Sequence, residues 1–269
     1  MSKLLYVAYK KSNKDVIMKD KEFFNIVESR IIPDNITPNN IKIFETENSL
    51  CGIFNPVSTI PIIGSSICLG YSPDMSWSEF NKRGDSIEGS FTIIRNSESR
   101  LQIVSDMVAS RTMWWYMNDD VFLASTSQRA IVMYLGEFSF NDNVIPWMLS
   151  TGTIGPKFSY DKNLNILSPN TIITLNKKEW ILNIDSKEIK LENKYKTIKE
   201  AKKKLHESLE KTFEKFYLDT NKFVLPLSGG YDSRGILLFL KNKIGLKTVT
   251  WGAKKSRGIE ENDAFIAKQ

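Results

Sequence analysis

The stretch Ser228-Gly229-Gly230-Tyr231-Asp232-Ser233 combines residue types and spacing with the most specific chemical use in this sequence. It follows a short apolar run, Phe223 to Leu227, and precedes an apolar-periodic stretch from Ser233 to Asn242. Strand, glycine turn and helix are therefore expected in that order. Two glycines let the backbone approach a ligand closely and adopt positive φ. The unpaired amides at the helix start and the helix dipole favour an anion at the same point. Ser228 and Ser233 add hydroxyl donors, and Arg234 reaches the same phosphates. Asp232 supplies a carboxylate where a pyrophosphate and its Mg²⁺ would sit, since Mg²⁺ takes one or two carboxylates with phosphate oxygens. Capping of the helix is the alternative role for Asp232, and it leaves metal contact open.

The elements around this loop alternate. Ala201, Leu205, Leu209, Phe213 and Phe216 or Tyr217 recur at helical spacing, which predicts an amphipathic helix over about 197–217. Phe223 to Leu227 lacks polar alternation and reads as a strand buried on both faces. Lys247 to Trp251 reads as a second buried strand and Ile259 to Gln269 as another helix. Helix-strand alternation of this kind belongs to an α/β domain with a parallel sheet.

Upstream the pattern is different. Leu4–Tyr9, Ser90–Arg95, Leu101–Asp106, Thr112–Met117 and Val121–Ser125 read as strands, with turns at Asn96-Ser97-Glu98-Ser99 and Asn118-Asp119-Asp120. Ser127 to Leu135 predicts a helix ending near Gly136. Thr171–Leu175 and Trp180–Ile184 form a hairpin pattern across Asn176-Lys177-Lys178. Such close spacing requires antiparallel pairing, because parallel strands need longer crossovers. The expected boundary falls near residue 195, giving segments 1–195 and 196–269.

Other residues narrow the function classes. His206 is the single histidine, which leaves most metal clusters and triads without members. It reads as a structural residue of the amphipathic helix. Trp114, Trp115 and Tyr116 suit core packing on a strand better than a platform for stacked bases. Lys202-Lys203-Lys204 reads as a solvated helix face. Cys51 and Cys68 are too few for a disulfide framework or a metal site and are expected as reduced core residues. The net charge of +6 is spread over lysines mixed with acids, a pattern that a solvated surface explains as well as a nucleic-acid footprint does; a polyphosphate ligand would also suit it, and no nucleic-acid partner is expected. The apolar run from Ile60 to Leu69 is broken by Pro61 and Gly64 and is too short to span a bilayer. With no apolar leader at the start, a cytoplasmic chain with no membrane association is expected.

The loop lacks the Gly-Lys-Ser/Thr ending of a Walker loop. It resembles instead the loop of ATP pyrophosphatases, which cleave ATP between its α- and β-phosphates and adenylate a substrate. The upstream half distinguishes among them. Gly89-Ser90-Phe91-Thr92-Ile93-Ile94, Ser105-Asp106, Arg111-Thr112-Met113-Trp114-Trp115-Tyr116 and Ala124-Ser125-Thr126-Ser127-Gln128-Arg129-Ala130-Ile131 follow in order. Together they resemble the glutaminase-type domain of the asparagine synthetase family. Ile166-Leu167-Ser168-Pro169-Asn170 is similar to that family's Pro-Gly turn. The resemblance covers roughly residues 85–269.

The resemblance implies an α+β, antiparallel-sheet domain of the Ntn-hydrolase-like kind over 1–195. Residues 196–269 would then begin an α/β adenine-nucleotide-binding domain of the PP-loop ATPase kind, expected here as incomplete. It implies ATP and Mg²⁺ as cofactors and ATP-dependent amide formation through an acyl-adenylate, releasing AMP and pyrophosphate. Ser228, Gly229, Gly230, Asp232, Ser233 and Arg234 would hold the pyrophosphate, Asp232 the metal, and Leu227 and Trp251 would lie by the adenine. The other substrate would be a small-molecule or peptide carboxylate.

The departures are as informative. Residue 2 is Ser where the family exposes a nucleophilic cysteine. Cys51-Gly52-Ile53-Phe54 imitates that start, but only 38 residues separate it from Gly89 (89 − 51), fewer than the family needs. Arg-Gly-Pro-Asp and Asn-Gly-Glu segments that would hold glutamine are absent, and Ser105 replaces an arginine. No glutaminase activity is expected. β-Lactam synthetases and lasso-peptide cyclases are relatives with the same loss. Two rivals remain: a non-catalytic nucleotide-binding or regulatory module, and a tRNA-modifying ATP pyrophosphatase, which the upstream half disfavours.

Overall fold

The computed structural model describes residues 2–11, 14–192, 194–215, 219–221, 223–240 and 245–268. Two compact units divide the chain, Met1–Lys190 and Leu191–Gln269.

In the first unit the strands are β1 (Lys3–Tyr9), β2 (Lys42–Thr46), β3 (Ser49–Phe54), β4 (Ile62–Ile63), β5 (Ser66–Tyr71), β6 (Ser90–Asn96), β7 (Arg100–Ser105), β8 (Trp114–Met117), β9 (Val121–Ser125), β10 (Asn165–Ile166), β11 (Thr171–Asn176) and β12 (Ile181–Ser186). The helices are α1 (Lys14–Ile31), α2 (Gln128–Leu135) and α3 (Val144–Thr151). The strands form two six-stranded sheets, ordered β10-β8-β9-β1-β3-β2 and β12-β11-β7-β6-β5-β4. Their pairings are antiparallel, so this unit is a mixed α/β domain built on antiparallel sheets.

Local chemistry sets the hairpins. Asn118 Oδ1 accepts from the amides of Asp120 (2.9 Å) and Val121 (2.8 Å) and closes the β8–β9 turn. Asn176 Oδ1 does the same for Lys178 (3.0 Å) and Glu179 (3.2 Å) between β11 and β12. These are the self-bonding turns that asparagine favours. Helix α2 stops at Gly136, whose φ of 72° a side chain resists.

Alternation along the strands sorts the side chains into layers. Leu4, Tyr6 and Ala8 of β1 meet Ile94, Ile103 and Ile173 of the other sheet in a core between the sheets. Leu5, Val7 and Tyr9 face the opposite way, under Ile17, Phe24 and Val27 of α1 and Ala130 and Ile131 of α2. That is why Leu4–Tyr9 is apolar throughout instead of alternating. Phe91, Ile93 and Val104, on the far face of the second sheet, are covered by Trp77 and Ile87.

The second unit contains α4 (Ile198–Lys215), β13 (Val224–Pro226), α5 (Tyr231–Leu240), β14 (Lys247–Val249) and α6 (Asp263–Ile266). β13 and β14 are adjacent and parallel, with Val224 opposite Lys247 and Pro226 opposite Val249. The amphipathic helix is present as α4, which meets α5 through the stacked rings of Phe213 and Phe239, 5.1 Å apart. Phe216, Tyr217, Asn242 and Gln269, included in the expected helices, lie outside the described residues.

Two expectations for this unit are corrected. Neither strand is buried on both faces: Val224 and Pro226 are exposed, and so is all of β14. Among the described residues the sheet has only these two strands, so few layers cover it. The single helix expected over 259–269 is also absent. Asn262 accepts from the Ala264 amide at 3.1 Å and starts a four-residue helix there.

No described helix is long and apolar enough to cross a membrane.

Candidate phosphate-binding site

Leu227 leaves the end of β13 with its amide still bonded to the Val249 carbonyl of β14, at 2.8 Å. The chain then passes through Ser228, Gly229 and Gly230 into α5. Trp251, 74% exposed, follows the end of β14. The loop and the two residues expected beside adenine thus lie at the carboxyl ends of the parallel strands.

The loop is latched from within. Ser228 and Ser233 hydroxyls are 2.9 Å apart, the Ser228 amide donates to Ser233 Oγ at 3.0 Å, and the Gly230 amide donates to Ser228 Oγ at 3.2 Å. The two hydroxyls expected to face a ligand are therefore bonded to the loop itself, where they fix its curve. Arg234 donates from Nε to the Gly230 carbonyl at 3.3 Å, and its guanidinium lies 5.0 Å from the Tyr231 ring centre. Asp232 is exposed beside them in the first turn of α5, where helical amides lack intrahelical partners.

Gly229 serves close approach instead of an unusual backbone angle. Neither Gly229 nor Gly230 has positive φ, contrary to the expectation. A Cβ on Gly229 would instead stand 2.6 Å from Asp263 Oδ1 and 2.9 Å from Asp263 Cα. Only glycine lets α6 come that near. This contact brings a second carboxylate, Asp263, to the loop. Sequence reasoning missed it: Asp263 lies about 30 residues downstream among other acids, and only its capping partner Asn262 carries a local signal.

The first unit holds the other residues singled out. Asp106 is buried, and burial alone would raise its carboxyl. Donation from the Ser110 hydroxyl and the amides of Phe91, Ser110 and Val108 outweighs that and holds it below the usual carboxylate range. It organises the loop after β7. Ser105 Oγ donates to the Ser168 carbonyl at 2.7 Å and accepts from the Thr171 amide at 3.0 Å, tying β7 to the Pro169-Asn170 turn. Asn170 there has a φ of 47°.

Ser2 Oγ donates to the Asn55 carbonyl at 2.8 Å and accepts from the Val57 amide at 3.0 Å. Cys51 and Cys68 are free and buried, and burial pushes both thiols up, Cys68 to about 12. Such thiols stay protonated and are poor nucleophiles. Trp115 stacks on Phe122 at 6.3 Å inside the first unit. His206 is exposed on α4 beside Glu210, 3.3 Å away, with Lys203 and Lys204 exposed on the same helix. No cluster of three metal-ligating side chains occurs among the described residues.

No protein-family model matches the chain, and no curated protein matches it.

Proposed function

We propose that the second unit binds the phosphates of ATP with Mg²⁺ and that the chain belongs to the asparagine synthetase type of ATP-dependent carbon-nitrogen ligase. The observation that carries this reading is the Ser228–Ser233 latch, which curves the loop at the carboxyl end of β13 and leads into α5. Ligands of open parallel sheets sit at such strand ends. The donor set suits a pyrophosphate: the first-turn amides of α5 lack intrahelical partners, Arg234 lies against the Gly230 carbonyl of the loop, and Gly229 carries no side chain. Asp232 and Asp263 would hold Mg²⁺, which neutralises charge developing on the leaving pyrophosphate. Leu227 and Trp251 would flank the adenine.

In this reading a small-molecule or peptide carboxylate attacks the α-phosphate and an amine then takes the acyl group. The first unit, an antiparallel sandwich with helices over one sheet, fits a glutaminase-like scaffold of the Ntn-hydrolase kind. Its nucleophile is lacking, because Ser2 is tied to Asn55 and Val57 and both cysteines are buried. Glutamate release from glutamine is therefore expected to stay at background, and steady release lost on Ser2→Ala would contradict this.

The decisive assay is ATP–pyrophosphate exchange over a panel of carboxylates. Carboxylate-dependent formation of AMP and pyrophosphate supports the ligase reading, and release of ADP and phosphate overturns it. Nucleotide binding without exchange favours a regulatory, non-catalytic module. The engagement of both loop hydroxyls in internal bonds favours that second reading.

A further inference from the structure

Along one edge of the first unit a cleft of about 250 Å³ opens between β8 and β10 of the first sheet and β11 and β12 of the second. It has the room of about eight liquid waters. Trp115 and Ile166, both half-buried, form one wall, and the buried Ile173 forms the other. Ile184 of β12, paired with Ile173, also lines the cleft and stays 53% exposed at its rim. The space is thus a side opening of the core between the sheets, with apolar walls.

Its polar groups divide between depth and mouth. Thr171 is buried, and its hydroxyl is already committed to the Pro169 carbonyl at 3.0 Å and the Ser186 hydroxyl at 2.8 Å. The deep wall therefore needs no polar partner from a ligand. Lys157 and Asn165 are exposed and Ser168 is half-buried. None of these three side chains has a hydrogen bond or ion pair among the described residues. Together they offer an ammonium, an amide and a hydroxyl, a set dominated by donors. No acidic side chain among the described residues lines the cleft. Small-molecule sites combine an apolar wall with a few polar groups that fix orientation in this way.

We propose that this cleft binds a small monocarboxylate with a branched or aromatic apolar body, its tail against Ile173 and Trp115 and its carboxylate at Lys157. One lysine matches one negative charge, and Asn165 and Ser168 supply further donors to the carboxylate oxygens. An α-ammonium group would stand beside Lys157 with like charge and no acidic partner, which disfavours a free amino acid. The site is independent of the phosphate loop, which lies in the other unit.

The test titrates phenylacetate and 3-methylbutanoate into the intact chain by calorimetry, without nucleotide or Mg²⁺, beside phenylacetamide and phenylalanine. At least one of the two acids is expected to bind one to one with a Kd below about 1 mM. Phenylacetamide and phenylalanine should bind about tenfold more weakly than phenylacetate, or worse. Lys157→Gln, at an exposed position without partners, should bring phenylacetate down to the affinity of phenylacetamide. Ile184→Glu sets an anion at the rim and should abolish binding of both acids. No binding of either acid overturns the proposal. Binding that both variants leave unaltered also overturns it, since that ligand would sit elsewhere, and so does phenylalanine binding as tightly as phenylacetate.

Discussion

The first unit buries every residue of β3 and all of β1 from Leu4 to Tyr9, whereas in the second α4 and β14 bury none. Apolar runs that look alike in sequence thus meet opposite fates. Leu4–Tyr9 sits between a partner sheet and two helices. Val224–Pro226 has one neighbouring strand among the described residues. Antiparallel hairpins build a two-sided core from segments close in sequence, while a parallel pair needs further layers before an apolar run becomes interior. In the second unit Leu240 and Ala264 are the only buried hydrophobic residues among those described.

The largest effect expected from this contrast is in stability. Phe91→Ala removes a fully buried ring between Trp77 and the sheet and should cost about 3–5 kcal/mol. Leu238→Ala, at a position 57% exposed, should stay within about 0.5 kcal/mol. Chemical denaturation of both variants checks this, and similar losses would break the comparison.

The next effect depends on pH. Lys177, 3% exposed, donates to Asn96 Oδ1 at 2.7 Å and to the Ser97 carbonyl at 2.8 Å, and burial brings it down to about 8. Below pH 8 it is charged in both folded and unfolded states, and the burial penalty is fully present. From about 8 to its ordinary value of 10.5 the unfolded chain binds the proton and the folded one does not. Stability contributed at this position therefore rises with pH over that window, by up to roughly 3 kcal/mol. The stability difference between wild type and Lys177→Met, followed from pH 7 to 10.5, should shift in favour of wild type. A flat difference would contradict the assignment.

A smaller effect is expected in the second unit. Gly229→Ala would press a methyl group into Asp263, so either the loop or α6 must move. Mg-pyrophosphate affinity should drop about tenfold or more while the first unit melts unchanged. Unaltered affinity would show that the close approach has no part in binding.

Much of this contrast was legible in the sequence, and the rest was not, for physical reasons. The β6–β7 and β8–β9 hairpins and α2 were legible because Asn118, Ser97 and Gly136 act on their own neighbours. α1 was not read: its buried Ile17, Phe24 and Val27 are diluted by lysines and acids, and helical periodicity is weak when the covered stripe is narrow. β2 and β5 were missed as well, since they gain their meaning only by pairing with β3 and β6. In the candidate site the residue types of the loop were legible. The internal use of both serines and the approach of Asp263 were not, because those depend on how the loop curves and where α6 docks.

The most direct test of the phosphate-binding account is calorimetric titration of pyrophosphate, with Mg²⁺ present, into wild type, Ser228→Ala and Asp232→Asn. Ser228 Oγ holds the Gly230 amide and Ser233, and Asp232 stands exposed where the metal would bind. Ser228→Ala releases the latch that curves the loop and Asp232→Asn removes the charge that would hold Mg²⁺, so each substitution should weaken binding roughly ten- to a hundred-fold, about 1.5–3 kcal/mol. Equal affinities in all three proteins, or no binding by wild type, would contradict the account.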